Sequence, residues 1–285
     1  ALHPTGIYLA YQGSSEMLFL FLVGLGCYLA LIRFSWIPIG SFLLGCACLE
    51  RANFLLWIVV FVLFWLVRFG RRVSRFSWKQ TVFIGLCFLL FLLPSGLWMA
   101  RNYRVSGHFP VISTLRGQTF YGGNNSVTAT DFTYWGYWVF PDQIPGETKL
   151  VELVKEGKTE WEVDVYYFEQ GCRFIREHWI RMPWLWLGKL VRAYVPIPWK
   201  PTWETIVVSL FRVMIYIGLA IGLRLSWRHL SVFVKWAFLA MVAANVVTVL
   251  AFWGYARFAF ALEPFFIPLG AIGVVTLWTR RRNAD

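Results

Sequence analysis

The sequence predicts an all-α protein: a polytopic membrane helical bundle of about seven transmembrane helices, with an external helical segment between the fourth and the fifth. Three observations predict it. Of 285 residues, 58% are hydrophobic and 15% charged, too apolar for a water-soluble domain of this size. The apolar residues come in runs approaching the roughly 20 residues that cross ~30 Å of hydrocarbon at ~1.5 Å per residue. A single long polar stretch, Arg101 to Thr205, interrupts them.

The expected spans can be taken in order. Met17–Phe34 is opened by Ser14, Ser15 and Glu16, a helix start whose carboxylate suits the N-terminal dipole. Trp36–Leu49 is short and carries Gly40 and Gly45, so it is not expected to span completely. Asn53–Phe69 runs into Arg68, Arg71, Arg72, Arg75 and Lys79, the mark of a cytoplasmic loop. Thr81–Ala100 contains Pro94, which removes a backbone donor and should kink the helix. Ile206–Leu223 carries Gly218 and Gly222 at the spacing of a close helix contact and ends at Arg224, Arg228 and His229. Trp236–Trp253 returns, and Phe258–Trp278 ends at Arg280, Arg281 and Arg282. Alternation puts the N-terminus outside, the C-terminus inside and the basic clusters on one side, as the positive-inside rule requires. The chain thus divides into membrane helices with an outer N-terminal segment (1–100), an external loop with interfacial helices (101–205) and C-terminal membrane helices (206–285).

Net charge is +12, but the Lys and Arg residues lie in short clusters between apolar runs, so topology and lipid phosphate account for them better than nucleic acid does. Four of the five cysteines fall in apolar runs, which predicts neither a disulfide framework nor a metal site. His3, His108, His178 and His229 are too scattered for metal spacing. Cys46 and Cys48 face different ways on a helix and read as packing. With no charged n-region or small-residue cleavage site before the first apolar run, a signal peptide is not expected there.

Within the polar stretch, Thr159-Glu160-Trp161-Glu162 has the form of a capping box, followed at helical spacing by Val163, Tyr166, Tyr167, Phe174 and Ile175. A helix of about five turns is expected there. Pro183 can open another, to Val195, in which Trp184, Leu187, Leu190, Val191 and Tyr194 oppose Lys189 and Arg192. Its Trp-rich flanks suggest a helix lying in the membrane interface.

Pro94 to Asn125 marks the expected outer mouth of the bundle. Arg101, Arg104 and Arg116 follow the helix end, and Gly117, Gly122 and Gly123 with Asn124 and Asn125 offer a flexible backbone whose N–H groups can approach an anion. A phosphate at a lipid surface suits such a mouth. Asn124-Asn125-Ser126 also fits a glycosylation sequon. Asp131 and Asp142 flank the aromatic stretch Phe132 to Phe140 and are candidates for holding an acceptor or for surface solvation.

The order of these features, an apolar helix ending in P…RNY, then G-x-F-P-V-I-S-T, then an aromatic residue and G-G-N-N, resembles a known family. It is similar to the bacterial relatives of the protein O-mannosyltransferases and lipid A aminoarabinose transferases, membrane glycosyltransferases of the GT-C superfamily that use polyprenyl-phosphate-linked sugars. The resemblance implies a GT-C-like bundle in a bacterial cytoplasmic (inner) membrane. It implies a long segment facing the exterior or periplasm and transfer of a hexose or pentose to a glycan, lipid or protein acceptor. His3-Pro4 with Tyr8 and Tyr11, leading to Glu16, is similar to the family's external loop before an acidic residue. Glu16 is therefore the candidate catalytic carboxylate, a plain helix-capping role being the alternative. The principal acidic residue of the family lies in an earlier loop, so the chain is expected to be a C-terminal portion without it.

Arg51, in Leu49-Glu50-Arg51-Ala52, is similar to the family's Leu-Thr-Arg-Pro with two replacements; the alternative is a side chain that snorkels to the interface. Arg257 and Pro264 match the family's R-[FY]-x-x-P-x-x-P segment, although Ala261 replaces the first proline. The donor-phosphate candidates are Arg51, Arg101, Arg116 and Arg257, and the acceptor or loop candidates Asn124, Asn125 and Asp131. Glu263, expensive inside a membrane unless paired, could pair with Arg257. No cofactor is identified; the leaving phosphate needs cations or a divalent metal, and the choice between them stays open. A transporter or a non-catalytic lipid-binding membrane subunit is the competing class. Transporters favour ionisable groups near the midplane, whereas only Arg212 and Glu263 lie within spans here.

Overall fold

The computed structural model describes residues 11, 15–73, 77–109, 115–199 and 201–282, with side chains described except at 52, 64–73 and 280–282. His3, Pro4, Tyr8 and the 110–114 part of the mouth motif lie outside the described residues, as do the side chains of the basic clusters at 68–75 and 280–282.

The described residues form helices and loops without a strand. We number the helices α1 (Ser15–Ile32), α2 (Ile37–Glu50), α3 (Ala52–Val73), α4 (Trp78–Ser106), α5 (Arg116–Gly123), α6 (Ser126–Thr130), α7 (Leu150–Lys155), α8 (Glu160–Glu177), α9 (Met182–Tyr194), α10 (Trp203–Ser226), α11 (Val232–Ala251), α12 (Ala256–Phe260) and α13 (Glu263–Arg282). Four of them, α1, α4, α10 and α11, are long and apolar enough to cross a membrane; α2, α13 and the start of α3 are shorter apolar helices. The coarse expectation of an all-helical protein with several membrane-length helices is met.

Local chemistry sets the helix ends. Ser77 and Gln80 form a capping box at the start of α4, which Gly107 closes in the left-handed conformation at φ 70°. The helix runs through Pro94 without ending, and its 29 residues span about 43 Å at the helical rise. Arg101 and Arg104 consequently ride on the helix rather than following its end. Thr159 and Glu162 cap α8 as their spacing predicts, and α8 runs the expected five turns. Thr202 and Thr205 cap α10 in the same way.

Packing joins α2 to both α1 and α4, α3 to α11, and α10 to α13. Phe19, Val23, Ala47, Cys48, Phe54 and Phe91 form one core cluster, and Ile215, Met241, Leu262 and Phe266 another, with Trp57 and Phe265 packed against both. The Gly218/Gly222 face makes the predicted close contact. It meets Gly270 and Gly273 of α13, and a Cβ at Gly222 would overlap the Leu269 carbonyl, leaving space for no side chain.

The 115–199 segment has its own core. Tyr121, Val139, Ile144, Leu153, Val163 and Tyr167 pack α5 and α7 onto α8. Helix α9 departs from the expected pattern. It buries Met182, Leu185, Gly188, Lys189, Arg192 and Ala193 and exposes Trp184, Trp186 and Leu187. The two cations, expected on the solvated face, are inside. Arg192 donates to the carbonyls of Thr133 (2.6 Å), Trp135 (2.5 Å) and Phe132 (3.3 Å) and lies 4.1 Å from the Trp199 ring. Buried in this way, it holds the aromatic loop that follows Asp131.

Candidate functional site

Three residues far apart in sequence meet where the start of α1, the α2–α3 corner and the short α12 come together. Glu16 stands in the first turn of α1, Arg51 caps the C-terminal end of α2, and Arg257 lies on α12. The Arg51 Nη2 donates to Glu16 Oε1, and Arg257 Nε lies 3.8 Å from the same oxygen. Glu16 and Arg51 are almost enclosed, their side chains 4% and 10% exposed, whereas that of Arg257 is 45% exposed.

Two guanidinium groups and one carboxylate leave the cluster with a net charge of +1. At an effective dielectric of ~20 an enclosed pair at about 4 Å is worth roughly 4 kcal/mol before desolvation, and water around the half-exposed Arg257 brings its pairing with Glu16 well below that. Enclosure makes the cluster stiff, and the half-exposed Arg257 leaves it accessible to an anion. Arg51 also lines a cavity of about 30 Å³, walled by Phe19, Phe54, Met241, Leu262 and Phe265. That volume admits a water molecule or two, and an apolar chain only if the side chains part.

The other candidates lie elsewhere. Arg101 sits over the Trp98 ring at 5.1 Å and donates to Asn102. Arg116 pairs with Asp164 at 3.5 Å and covers the Phe168 ring at 4.6 Å. Neither shares a partner with Glu16, Arg51 or Arg257 in these contacts.

The glycine-rich mouth is a packing device, correcting the expectation of an open anion cradle. The Gly117 N–H, at the start of α5, donates to the Asp164 carboxylate, so the protein's own acid occupies that position. Burial pushes the Asp164 carboxyl up, while the Gly117 N–H and the Arg116 guanidinium hold it down. A Cβ at Gly122 or Gly123 would overlap Trp138 or the Phe252 carbonyl. Asn124 and Asn125 are fully buried. Asn125 caps α6 through the Thr128 N–H and donates to the carbonyls of Tyr121 and Gly122; the sequon's acceptor, Asn124, donates from its amide to the carbonyls of Phe120 and Ala251 and is no surface group. Asp131 accepts from the Thr133 N–H at 2.8 Å and Asp142 from the Leu150 N–H at 2.7 Å, turn and cap roles.

Glu263 does not pair with Arg257. Its Oε1 accepts from Arg212 Nε at 2.5 Å, both side chains being at most 4% exposed, and Arg212 also donates to the Ala256 carbonyl. The two charges inside the apolar runs thus neutralise one another between α10 and α13, and bring α12 with them.

Lys189 is a buried polar residue that helical spacing had assigned to the wrong face. Its Nζ donates to Asn124 Oδ1 at 2.7 Å and to the Leu250 carbonyl at 2.9 Å, and Asn124 Nδ2 donates to the Ala251 carbonyl at 2.8 Å. Together they tie the 115–199 segment to the end of α11. Burial pulls the Lys189 ammonium down to about 7. A Lys on an otherwise apolar helix face, three residues before an Arg, was the available signal; its partners come from Asn124, just past α5, and from α11.

Among the described residues no group of three or more His, Cys, Asp or Glu side chains could hold a metal ion, and all five cysteines are free. No protein-family model matches the chain, and none of the curated proteins or solved structures matches it either.

Proposed function

We propose that this chain is the lipid-phosphate-binding portion of a multi-pass membrane glycosyltransferase. In this reading seven helices span the bacterial inner membrane, and the 115–199 segment faces the exterior or periplasm. The donor is a polyprenyl-phosphate sugar and the acceptor a glycan, lipid or protein. The observation that carries it is the meeting of Glu16, Arg51 and Arg257 at one end of the bundle beside an apolar cavity. All three had been singled out by the same family resemblance, and nothing in their sequence positions requires them to meet.

The chemistry suits the charge. In the transfer step the acceptor hydroxyl oxygen bonds to the anomeric carbon, the bond from that carbon to the phosphate oxygen breaks, and its electron pair stays on the phosphate. The acceptor proton passes to a base. The phosphate goes from one negative charge toward two, and a cluster of net charge +1 favours the later state over the earlier one. Arg257 presents a planar fork able to hold two phosphate oxygens, with Arg51 behind it. Glu16 keeps both guanidinium groups in place, and to take the acceptor proton itself it would have to release one of them. A divalent metal on the leaving phosphate is compatible with this scheme but has no ligand set among the described residues.

The same cluster would serve a non-catalytic lipid-binding subunit, so binding and turnover are separate questions. The test is binding of farnesyl phosphate to the full chain in lipid nanodiscs. Arg257→Ala and Arg51→Ala should each weaken it about tenfold or more; unchanged affinity in both variants would sink the phosphate role.

A further inference from the structure

Two Gly-Tyr pairs from distant parts of the chain, Gly136-Tyr137 and Gly254-Tyr255, are brought side by side. The Gly254 N–H donates to the Gly136 carbonyl at 2.8 Å. Both glycines press on the same stretch of α9. A Cβ at Gly136 would overlap the backbone of Gly188 and Lys189, and one at Gly254 would overlap Lys189. Gly136 also holds φ at 70°, a conformation that side-chain-bearing residues rarely adopt. The backbone at both sites is therefore clamped, and each clamp is followed by a tyrosine.

The clamp fixes where the rings go. Tyr137 and Tyr255 meet edge to face, their centroids 5.5 Å apart with planes at 64°. The Arg257 guanidinium carbon lies 5.6 Å from the Tyr255 ring. On the other side the Arg192 guanidinium carbon lies 5.3 Å from the Tyr137 ring, while its nitrogens hold the carbonyls of the preceding loop. Tyr137 is half-buried and Tyr255 is 41% exposed. The hydroxyl of neither ring meets a hydrogen-bond partner among the described residues. Both rings stand open beside the half-exposed arginine of the candidate site.

We infer that Tyr137 and Tyr255 form a carbohydrate-binding step next to the phosphate position, holding the sugar ring of the donor. This rests on the lipid-phosphate reading above. The chemistry is specific to a sugar. An aromatic face carries partial negative charge and accepts the apolar C–H face of a pyranose or furanose ring, while the phenol hydroxyls can donate to and accept from the sugar hydroxyls. A sugar bonded to a phosphate on Arg257 has its ring within a few ångströms of that phosphate, the separation that Tyr255 offers. Two rings at an angle give one wall and one edge, and the backbone clamps keep the step from collapsing when it is empty, so that little ordering cost falls on binding.

The experiment uses the full chain in lipid nanodiscs and compares four probes: farnesyl phosphate and the farnesyl-phosphate-linked forms of mannose, glucose and arabinose. At least one sugar-bearing probe should bind the wild type more tightly than farnesyl phosphate. Tyr255→Ala and Tyr137→Ala should each cost that probe about fivefold to tenfold, on the scale of one aromatic contact, and leave farnesyl phosphate within twofold. Tyr255→Phe should retain part of the sugar preference, since it keeps the face and loses the hydroxyl. Equal losses for all four probes, or no loss for the sugar-bearing ones, would overturn the sugar step while leaving the phosphate site standing. A wild type that binds all four probes equally would overturn it too. A wild type that binds none of them overturns both readings. Detergent melting temperatures of the Phe and Ala variants, expected within a few degrees of wild type, exclude a folding origin for the loss.

Discussion

Arg257 Nε lies 3.8 Å from Glu16 Oε1, and the carboxylate oxygen between them also accepts from Arg51. One buried anion thereby sets the position of two cations from opposite halves of the chain. Removing it leaves the enclosed Arg51 guanidinium beside that of Arg257 with no anion between them, and like charges repel.

Glu16→Gln should therefore weaken farnesyl phosphate binding, although it raises the net positive charge, because the guanidinium groups lose their common anchor. Arg257→Lys should keep part of the affinity through its charge, and Arg257→Ala should lose more, since Lys lacks the fork. On the glycosyl-transfer reading proposed above, Arg257→Ala should also lower turnover about tenfold to a thousandfold, the scale of one transition-state stabiliser. Isothermal binding and turnover assays on the same preparations read both. A tighter-binding Glu16→Gln would show that charge, not geometry, governs the site.

The buried Arg212–Glu263 pair predicts asymmetric mutational behaviour. Arg212→Ala or Glu263→Ala, each removing one partner of the buried pair between α10 and α13, should destabilise by about 3–5 kcal/mol, whereas the double replacement Arg212→Met with Glu263→Leu should recover most of it. Thermal unfolding in detergent measures the three. Additive losses in the double variant would show that the two residues do not act as a pair.

Lys189 predicts a pH dependence. Its ammonium is pulled from the ordinary 10.5 to about 7 in the folded protein, so between those values the unfolded chain binds a proton that the folded one does not. Stability should rise with pH through this window, with a limiting slope of about 1.4 kcal/mol per pH unit. Below pH 7 both states are protonated and the penalty of the buried charge is present in full. Denaturant melts from pH 6.5 to 10 should show the rise, and Lys189→Met should flatten it. An unchanged slope in that variant would remove Lys189 from the account.

Helix α9 predicts a lipid contact. It buries two cations and exposes Trp184, Trp186 and Leu187, an arrangement favourable only where the exposed face meets hydrocarbon, and Lys189 holds it level with the end of α11. An environment-sensitive fluorophore on Leu187→Cys should shift to the blue and be quenched by brominated lipids in nanodiscs; one on Lys155→Cys should not. Emission from Leu187→Cys in water-like surroundings would overturn the interfacial placement. In intact cells, Arg72→Cys should resist labelling from outside.

Much of the helical framework was legible in the sequence because it depends on nearest neighbours. The capping box of Thr159 and Glu162, the small-residue face of Gly218 and Gly222 and the apolar runs all act within a few residues of themselves. Candidate site residues were legible one at a time, through the residue types a phosphate needs and a family's motif spacing. Their partners were not. The sequence offered Arg257 to Glu263, six positions away, whereas in the fold each found an opposite charge on another helix.

What the sequence determined by itself is therefore the inventory: an all-helical chain with several segments of membrane length, and which charged groups stand near their ends. The tertiary structure alone decided which charges neutralise which, that Lys189 and Arg192 point inward, and that the glycines before Tyr137 and Tyr255 pack on one strip of α9. The physical reason is range. Caps and helix periodicity are local, but an ion pair or a glycine contact exists only once two distant backbones come within a few ångströms, and which backbones do so is settled by the packing of the whole bundle.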